Sequence, residues 1–198
     1  MIEIRIDDTS ARCPAQLVLD RAPRFPLTVS LTMAISDPEQ AFRQTGWAGL
    51  RARLFHLYFL LRRPMTLGVR GLVYDRAANC VFLIRHTYVP GWQLPGGGVE
   101  AGETLEEALA RELVEEGNIA LTAPPVLKSM HFNRRSSNRD HVGLYLVEAF
   151  SQTAPKLADY EIAEAGFFPL DRLPSDTTPA TRRRLAEIFE SRPASAYW

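Results

Sequence analysis

Apolar and polar positions alternate along the chain in a way that predicts one mixed α/β domain after residue 65. Partial alternation is typical of strands in a sheet that is covered on both faces. Turn residues separate the segments, and Thr178 with Pro179 predicts the start of a last helix. The pattern predicts strands over 66–74, 80–86, 126–132 and 141–150, a short strand at Phe167 and Phe168, and a helix over 179–191.

A further helix is predicted after Thr104, in a stretch rich in Ala, Leu and Glu. Thr104 and Glu107 have the spacing of a capping box, which predicts that the helix begins there. Leu105, Leu109 and Leu113 recur every four residues and are therefore expected to form its buried stripe.

The first third of the chain has a different pattern. Residues 1–40 show no helical period, and we treat 1–32 as a dispensable extension, since Met33 begins a phrase that resembles a natural start. Residues 41–64 are predicted to be helical, and 54–61 are apolar on nearly all sides. Two interpretations stay open: a helix packed between the domain and a partner or the N-terminal arm, or an interfacial helix on an anionic membrane.

Composition excludes the extreme classes of protein. The 198 residues are 46% hydrophobic, and 23 basic residues balance 23 acidic ones, so net charge does not indicate nucleic-acid binding. Cys13 and Cys80 are too few for a disulfide framework, and the first residues lack a basic secretory start. These features predict a cytoplasmic protein.

The predicted helix after Thr104 carries an unfavourable set of charges. Glu112, Glu115 and Glu116 fall on one side of its last turns, where like charges and the helix dipole both destabilise them. A hard divalent cation would reverse this effect. The glycines at 96–98 lie just ahead, where a backbone without side chains can approach a ligand closely. Together these features indicate a site for a metal and the phosphates that accompany it.

Residues 97–119 resemble the Nudix box, G-x5-E-x7-R-E-U-x-E-E-x-G-U, in which U is aliphatic. One position departs from the pattern, because Asn118 replaces the late glycine; Asn tolerates left-handed backbone, so the helix can still end there. The fixed positions that match are Gly97, Glu103, Arg111, Glu112, Leu113, Glu115, Glu116 and Ile119.

The resemblance implies an α/β fold, a Nudix-like α/β/α sandwich with a central mixed sheet and the box as a loop-helix-loop. The domain would then occupy residues 65–192, after the extension 1–40 and the helix 41–64, and a tail would follow at 193–198. The resemblance also implies a metal-dependent pyrophosphatase activity on a nucleotide.

The site residues follow from the same resemblance. Glu112, Glu115, Glu116 and the Gly96 carbonyl are expected to bind Mg²⁺ or Mn²⁺, with Glu112 and Glu116 catalytic. Glu103 and Arg111, with the box glycine Gly97, are expected to support the site structurally. Many family members add an acid from outside the box. Its candidates here are Glu161, which we favour, Glu164 and Asp140, each of which also fits a plain surface carboxylate.

Substrate contacts are predicted from side-chain chemistry. Arg134 and Arg139, in a loop with Arg135, have forked guanidinium groups that suit phosphate, although a solvated loop explains them equally well. Trp92, with Tyr88 and Phe132 as further candidates, could stack on a base, against the alternative that such rings belong to the core. Arg182, Arg183 and Arg184 are expected to form a solvated helix face.

The predicted function is hydrolysis of a diphosphate linkage between a nucleoside diphosphate and another group X. The alternatives are a non-catalytic nucleotide-binding module and a membrane-peripheral hydrolase of a lipid- or sugar-linked diphosphate. The markers expected for hydrolases of ADP-ribose, diadenosine polyphosphates, NADH and coenzyme A are not seen. The predicted partner is a nucleotide-type small molecule, without a stable nucleic-acid complex, and residues 54–61 are candidates for a homodimer or weak membrane contact.

Overall fold

The computed structural model describes residues 64–198 together with Leu54, Phe55 and Tyr58. The chain divides into two compact units, and one of them contains Met65–Trp198 with every strand that the structure describes. In the other unit, Leu54, Phe55 and Tyr58 are helical and exposed. The predictions for residues 1–53 and for the rest of the 54–61 helix, including His56, lie outside the described residues. No described helix is long and apolar enough to cross a membrane.

Seven strands and two helices follow one another between residues 64 and 198. The strands are β1 Thr66–Asp75, β2 Cys80–His86, β3 Ile119–Leu121, β4 Val126–Phe132, β5 Asp140–Val147, β6 Phe150–Gln152 and β7 Ile162–Pro169, and the helices are α1 Leu105–Gly117 and α2 Pro179–Phe189.

A mixed sheet with helices on both faces forms the core. Its strand order is β4-β5-β1-β2-β7, in which β1 and β5 are parallel and the other neighbours antiparallel. Alternate strand residues point to opposite faces. One face packs on Leu109 and Leu113 of α1, and the other on Leu185 of α2. This arrangement confirms the predicted α/β sandwich, while β3 and β6 form a separate two-stranded sheet.

The loop after β2 lies between β1 and β2 and opens the sheet. The two strands pair directly only at Tyr74 and Asp75, close to their connecting turn. Further along, the amides of Val69 and Gly71 donate to loop carbonyls at 2.9 and 2.8 Å, and Gln93 exchanges two hydrogen bonds with Ile84 of β2. Both strands therefore hold the glycine loop at a fixed position against the end of α1.

Helix α1 begins and ends as its sequence predicts. The Thr104 hydroxyl accepts from the Glu107 amide, and the Glu107 carboxylate accepts from the Thr104 amide, which completes the capping box. Asn118 adopts left-handed backbone with φ of 52°, so the residue that departs from the box pattern still ends the helix. Leu109 and Leu113 are fully buried and Leu105 packs beside them, as the leucine spacing indicated.

Two strand predictions need correction. The segment 141–150 is not one strand, because β5 ends at Val147 and the chain enters the small sheet as β6 at Phe150. The strand at Phe167 and Phe168 is eight residues long, because pairing with β2 extends it back to Ile162. Cys80, at the start of β2, is fully buried and disulfide-bonded, a state that the prediction of a reducing compartment did not anticipate.

The predicted solvated face of α2 is wrong for Arg184, whereas Arg182 and Arg183 are exposed. Arg184 is fully buried, and its guanidinium contacts Glu187 at 2.6 Å and the Tyr197 carbonyl at 3.2 Å. Arg182 donates to carbonyls of the preceding turn, including that of Pro174 at 2.7 Å. Arg184 is buried because the last residues of the chain return to pack against β4 and α2, with the Trp198 amide donating to the Phe132 carbonyl at 3.1 Å.

Candidate metal and phosphate site

Two glycines in the loop after β2 allow it to lie close to α1. Gly96 has φ of 133°, and a Cβ there would collide with the backbone of Val69. A Cβ on Gly97 would collide with the carboxylate of Glu112. Larger residues would therefore push the loop away from both β1 and the helix.

Arg111 contacts three of the four acidic residues at fixed positions of the box. Its guanidinium donates to Glu103 at 2.9 Å, to Glu112 at 2.8 Å and to Glu115 at 3.4 Å, and also to the Gly98 carbonyl at 3.1 Å. The hydrogen bond from Arg111 is the main cause that lowers the pKa of Glu103. One arginine thus ties the glycine loop to two carboxylates of α1.

Glu116 lies apart from the Arg111 group. Its side chain is almost completely buried, and Oε2 accepts a hydrogen bond from the Gly96 amide at 2.6 Å. Burial is the largest cause that raises its pKa to about 8, with added repulsion from Glu112 and Glu161. The nearby Arg70 and the Gly96 amide act in the opposite direction. A carboxylate in these surroundings gains stability when a cation replaces its proton.

Residues from two other segments of the chain lie beside Glu116. His86, at the end of β2, places Nε2 3.6 Å from Glu116 Oε1, and Glu161 precedes β7. Ligand atoms of His86, Glu116 and Glu161 all lie within 4.8 Å of one another. The Tyr88 hydroxyl donates to Glu161 Oε1 at 3.1 Å and so helps to orient this carboxylate.

The contact between His86 and Glu116 is not an ion pair at neutral pH. Burial, followed by repulsion from Arg70, lowers the pKa of His86, while that of Glu116 is raised to about 8. Around pH 7 the imidazole is therefore neutral and the carboxyl mostly protonated. Neutral imidazole and a carboxyl that can lose its proton are both suited to binding a metal ion.

Arg70 occupies the Gly96 carbonyl that the box resemblance assigns to the metal. Its Nη1 donates to the carbonyls of Gly96 and, at 3.3 Å, of Leu94. The guanidinium thus lies beside the acidic site and reduces its excess of negative charge. A cation that uses the Gly96 oxygen would share it with Arg70.

Of the acids proposed outside the box, Glu161 is the one that the fold brings to Glu116. Glu164 lies in β7 and bonds to Arg85 across the β2–β7 pair. Asp140 begins β5, where it accepts from Thr66 at 2.8 Å and from Asn133 at 2.7 Å. The contacts of Glu164 and Asp140 therefore join elements of the fold.

The predicted substrate residues fall in two environments. Trp92 is only 6% exposed and packs edge-on against Phe168 in the core beneath α2. Of the two interpretations of this ring, the structure therefore agrees with a place in the core. Arg134 and Arg139 are exposed, and their guanidinium groups have no partner within the part of the chain that the structure describes. Tyr88, at 66% exposure beside Glu161, is the aromatic candidate that is open to a ligand.

Sequence reasoning missed His86 and Arg70. Arg70 is a charged residue inside an otherwise apolar strand segment, and that contrast was a usable signal. His86 ends the apolar strand β2 just before the glycine loop, but nothing local shows that it faces residues 30 and 75 positions further along the chain.

The fold and the site together define an α/β sandwich protein with a buried acidic site behind a glycine loop. The model of the NUDIX domain family matches residues 64–188, well over half of the chain. Among curated proteins, an ADP-ribose pyrophosphatase of Methanocaldococcus jannaschii is 39% identical over 131 residues, which cover 63% of this chain and 73% of that protein. The chain belongs to the Nudix hydrolase family.

Other relatives match over shorter regions. An RNA pyrophosphohydrolase of Alkalilimnicola ehrlichii is 48% identical over 50 residues, which cover 25% of this chain and 28% of that protein. The chain spans less than half the length of the first curated relatives that it matches. Among solved structures, the MutT NUDIX hydrolase of Burkholderia pseudomallei is 30% identical with a TM-score of 0.54, over 62% of this chain and 97% of that one.

Proposed function

We propose that this protein hydrolyses the diphosphate linkage of a nucleoside diphosphate joined to another group, with Mg²⁺ or Mn²⁺ as cofactor. The observation that carries the proposal is the buried Glu116, which faces His86 and Glu161 behind the glycine loop. The cluster has an excess of carboxylates and an imidazole that is neutral at pH 7, so its donor set fits a divalent cation. Family membership and the relatives' printed activities support the same reaction class.

The proposed roles follow from the surroundings of each side chain. Glu112, Glu115 and Glu116 would hold the cation, which supplies Lewis acidity and neutralises the diphosphate when it is bound. Arg111 and Glu103 hold the loop and helix together, so that Glu112 keeps its orientation. Glu161, oriented by Tyr88, is proposed as the acid from outside the box that serves as a further ligand of the cation.

Substrate recognition is proposed for the exposed loop between β4 and β5. Arg134 and Arg139 have free guanidinium groups among the described residues, and the start of β1 anchors this loop, because the Thr66 amide donates to the Arg139 carbonyl at 3.1 Å. Forked guanidinium groups bind phosphate oxygens in pairs. The Tyr88 ring is available to contact a base or sugar near Glu161.

A hydrolysis screen tests the proposal. Nucleoside diphosphate sugars, dinucleotides, ADP-ribose, nucleoside triphosphates and 5′-triphosphate RNA would each be incubated with the full chain and Mg²⁺ or Mn²⁺. Glu116→Gln serves as the blank, and Glu106→Gln, an exposed carboxylate on the same helix, as the matched control. Turnover that Glu116→Gln loses and Glu106→Gln keeps supports the proposal and identifies the substrate group.

Silence across the panel would count against the proposal. If the metal binds without turnover, a non-catalytic nucleotide-binding module gains weight. A panel extended to lipid-linked diphosphates in vesicles then tests the membrane-peripheral alternative for residues 54–61.

Cytoplasmic location is part of the same proposal, and the redox state of the cysteines in the cell tests it. Because Cys80 is disulfide-bonded in the structure, thiol labelling of the protein in intact cells is a direct test. Labelled, reduced cysteines would support a cytoplasmic protein, whereas a protected disulfide would favour an oxidising compartment.

A further inference from the structure

The end of β2 brings a histidine nitrogen to the buried carboxylate of the site. His86 and Glu116 are both buried, and Nε2 of the first lies 3.6 Å from Oε1 of the second. The third member, Glu161, is partly exposed and comes from the segment before β7. A main-chain hydrogen bond from Thr87 to the Glu161 carbonyl at 2.9 Å fixes this segment beside β2.

The separations fit a single cation. A metal that binds nitrogen and oxygen at about 2.1 Å holds its ligand atoms roughly 3 to 4.2 Å apart, depending on the angle between them. The 3.6 Å between the imidazole and Glu116 falls in this range. The upper bound of 4.8 Å for the whole set requires only a small inward movement of Glu161, which is the least buried of the three.

One nitrogen of the imidazole faces the carboxylates. Nε2 lies 3.6 Å from Glu116 Oε1, whereas Nδ1 is buried and has no hydrogen-bond partner among the described residues. Nε2 is therefore the nitrogen placed to bind a ligand.

The charges around the cluster are negative on balance, which favours the binding of a cation. Arg70 is the positive group beside the cluster, and its guanidinium donates to the carbonyls of Leu94 and Gly96. Glu116 and Glu161 together carry two negative charges when both are ionised, whereas the nearby Glu112 is paired with Arg111 at 2.8 Å. The two carboxylates of the cluster thus outnumber the Arg70 guanidinium.

We infer that His86 Nε2 binds the metal together with Glu116 and Glu161, and that this mixed site takes Mn²⁺ or Co²⁺ more tightly than Mg²⁺. The inference rests on the proposed function, because it concerns the metal of the same site. Mg²⁺ prefers oxygen ligands in octahedral geometry, whereas imidazole suits first-row transition metals. His86 therefore shifts the preference of the site toward Mn²⁺ and Co²⁺. The box glutamates alone would offer only oxygen ligands, which suit Mg²⁺.

Metal binding without substrate tests the inference. Titration calorimetry would give Mn²⁺, Co²⁺ and Mg²⁺ affinities for the full wild-type chain, for His86→Gln and for His141→Gln. His141 is the control because it is a partly buried histidine of strand β5 that packs on Phe132 of β4, outside the cluster. Pulsed electron paramagnetic resonance of bound Mn²⁺ would detect coupling to a ligating nitrogen.

The expected result separates the three proteins. His86→Gln should bind Mn²⁺ and Co²⁺ at least about tenfold more weakly, with a much smaller change for Mg²⁺, and should lose the nitrogen coupling. His141→Gln should retain wild-type affinities and coupling. Thermal melting would verify that both variants are folded.

Several outcomes would overturn the inference. They are nitrogen coupling that survives in His86→Gln, equal losses of Mn²⁺ and Mg²⁺ affinity, and a wild type that binds Mg²⁺ as tightly as Mn²⁺. The proposed function fails separately. Nitrogen coupling without turnover in the hydrolysis screen would support His86 as a metal ligand and reject the proposed reaction. Turnover without nitrogen coupling would support the reaction and reject His86 as a ligand.

Discussion

Helices α1 and α2 each carry a group of three like charges, Glu112, Glu115 and Glu116 on α1 and Arg182, Arg183 and Arg184 on α2, and one member of each group is buried. On α1 the buried residue is Glu116, at 4% exposure, and on α2 it is Arg184, at 0%. Each would be unstable alone, since an unpaired buried charge costs several kcal/mol. The two regions solve this problem in different ways.

Arg184 is surrounded by groups that stabilise its charge. Its Nη2 contacts Glu187 at 2.6 Å, its Nη1 contacts His131 Nδ1 at 2.5 Å, and its guanidinium lies over the Trp198 ring at 5.3 Å. Glu187 in turn accepts from the Ser195 amide at 3.0 Å, which fixes the end of the chain. The α2 cluster therefore gives its buried guanidinium a counter-charge, and only Arg184 Nε and Glu187 Oε2 lack a hydrogen-bond partner among its described atoms.

Glu116 is in surroundings that disfavour its charged form. Burial, with repulsion from Glu112 and Glu161, raises its pKa to about 8, although Arg70 and one amide hydrogen bond act in the opposite direction. A buried charge with counter-charges on hand indicates a structural role, whereas one among like charges indicates a ligand site. Three predictions test this distinction, from the largest expected effect to the smallest.

Glu116→Gln should abolish most turnover while the fold survives. The loss should be about a hundredfold or more, because several kcal/mol of charge stabilisation would disappear with the carboxylate. Stability should hold or rise, since a buried carboxyl with a raised pKa becomes a neutral amide. Initial rates at saturating Mg²⁺ and urea unfolding measure the two effects. Wild-type turnover in this variant would contradict the assignment of Glu116 to the metal site.

Arg184→Met should destabilise the fold and leave the turnover of folded molecules unchanged. Removing the guanidinium leaves the carboxylate of Glu187 largely buried without its counter-charge, which costs about 3–5 kcal/mol. Urea unfolding at pH 7 measures the loss.

Two further variants serve as controls for Arg184. Arg183→Met removes an exposed arginine whose contact is the Trp198 carbonyl at 3.0 Å, and should cost about 0.5 kcal/mol or less. The double variant Arg184→Met/Glu187→Met should recover much of the stability, because no unpaired charge remains. Equal losses of stability in Arg183→Met and Arg184→Met would mean that Arg184 is solvated like Arg183, as the sequence predicted.

The sequence predicted the elements whose signals are local. The capping box at Thr104, the leucine spacing of α1 and the bounds of β2 and β4 all match the structure, because neighbouring residues decide them. The Glu103 to Arg111 contact also appears as the box resemblance implied.

Long-range contacts account for what the sequence did not show. Arg184 is buried because residues 195–198 return to β4, and β7 extends to Ile162 because β2 pairs with it, although this stretch contains Ala and Gly. His86 and Glu161 meet through the same β2–β7 pairing, across 75 positions of sequence. No periodicity within either segment encodes that meeting.

His131 gives the smallest predicted effect, a pH dependence of stability that originates in the α2 cluster. Burial, followed by repulsion from Arg184, lowers its pKa below the 6.5 expected for the unfolded chain. As pH falls below 6.5, the unfolded state therefore takes up a proton before the folded state does. The contribution of His131 to stability is constant above that pH and falls below it, by at most about 1.4 kcal/mol per pH unit, until the folded pKa is reached. Glu116, whose pKa is raised to about 8, contributes with the opposite sign, so the comparison must be made with a variant that keeps Glu116.

The geometry explains why protonation of His131 is unfavourable. Its Nδ1 lies 2.5 Å from Nη1 of Arg184, and a protonated ring would turn a second donor toward that guanidinium. Urea unfolding between pH 7.5 and 5 would compare the wild type with His131→Gln, which keeps the like-signed contribution of His86. The variant should have a shallower loss of stability below pH 6.5. An identical dependence of stability on pH in the two proteins would mean that the α2 cluster tolerates a second positive charge. Its counter-charges would then be in excess, as the carboxylates are around Glu116.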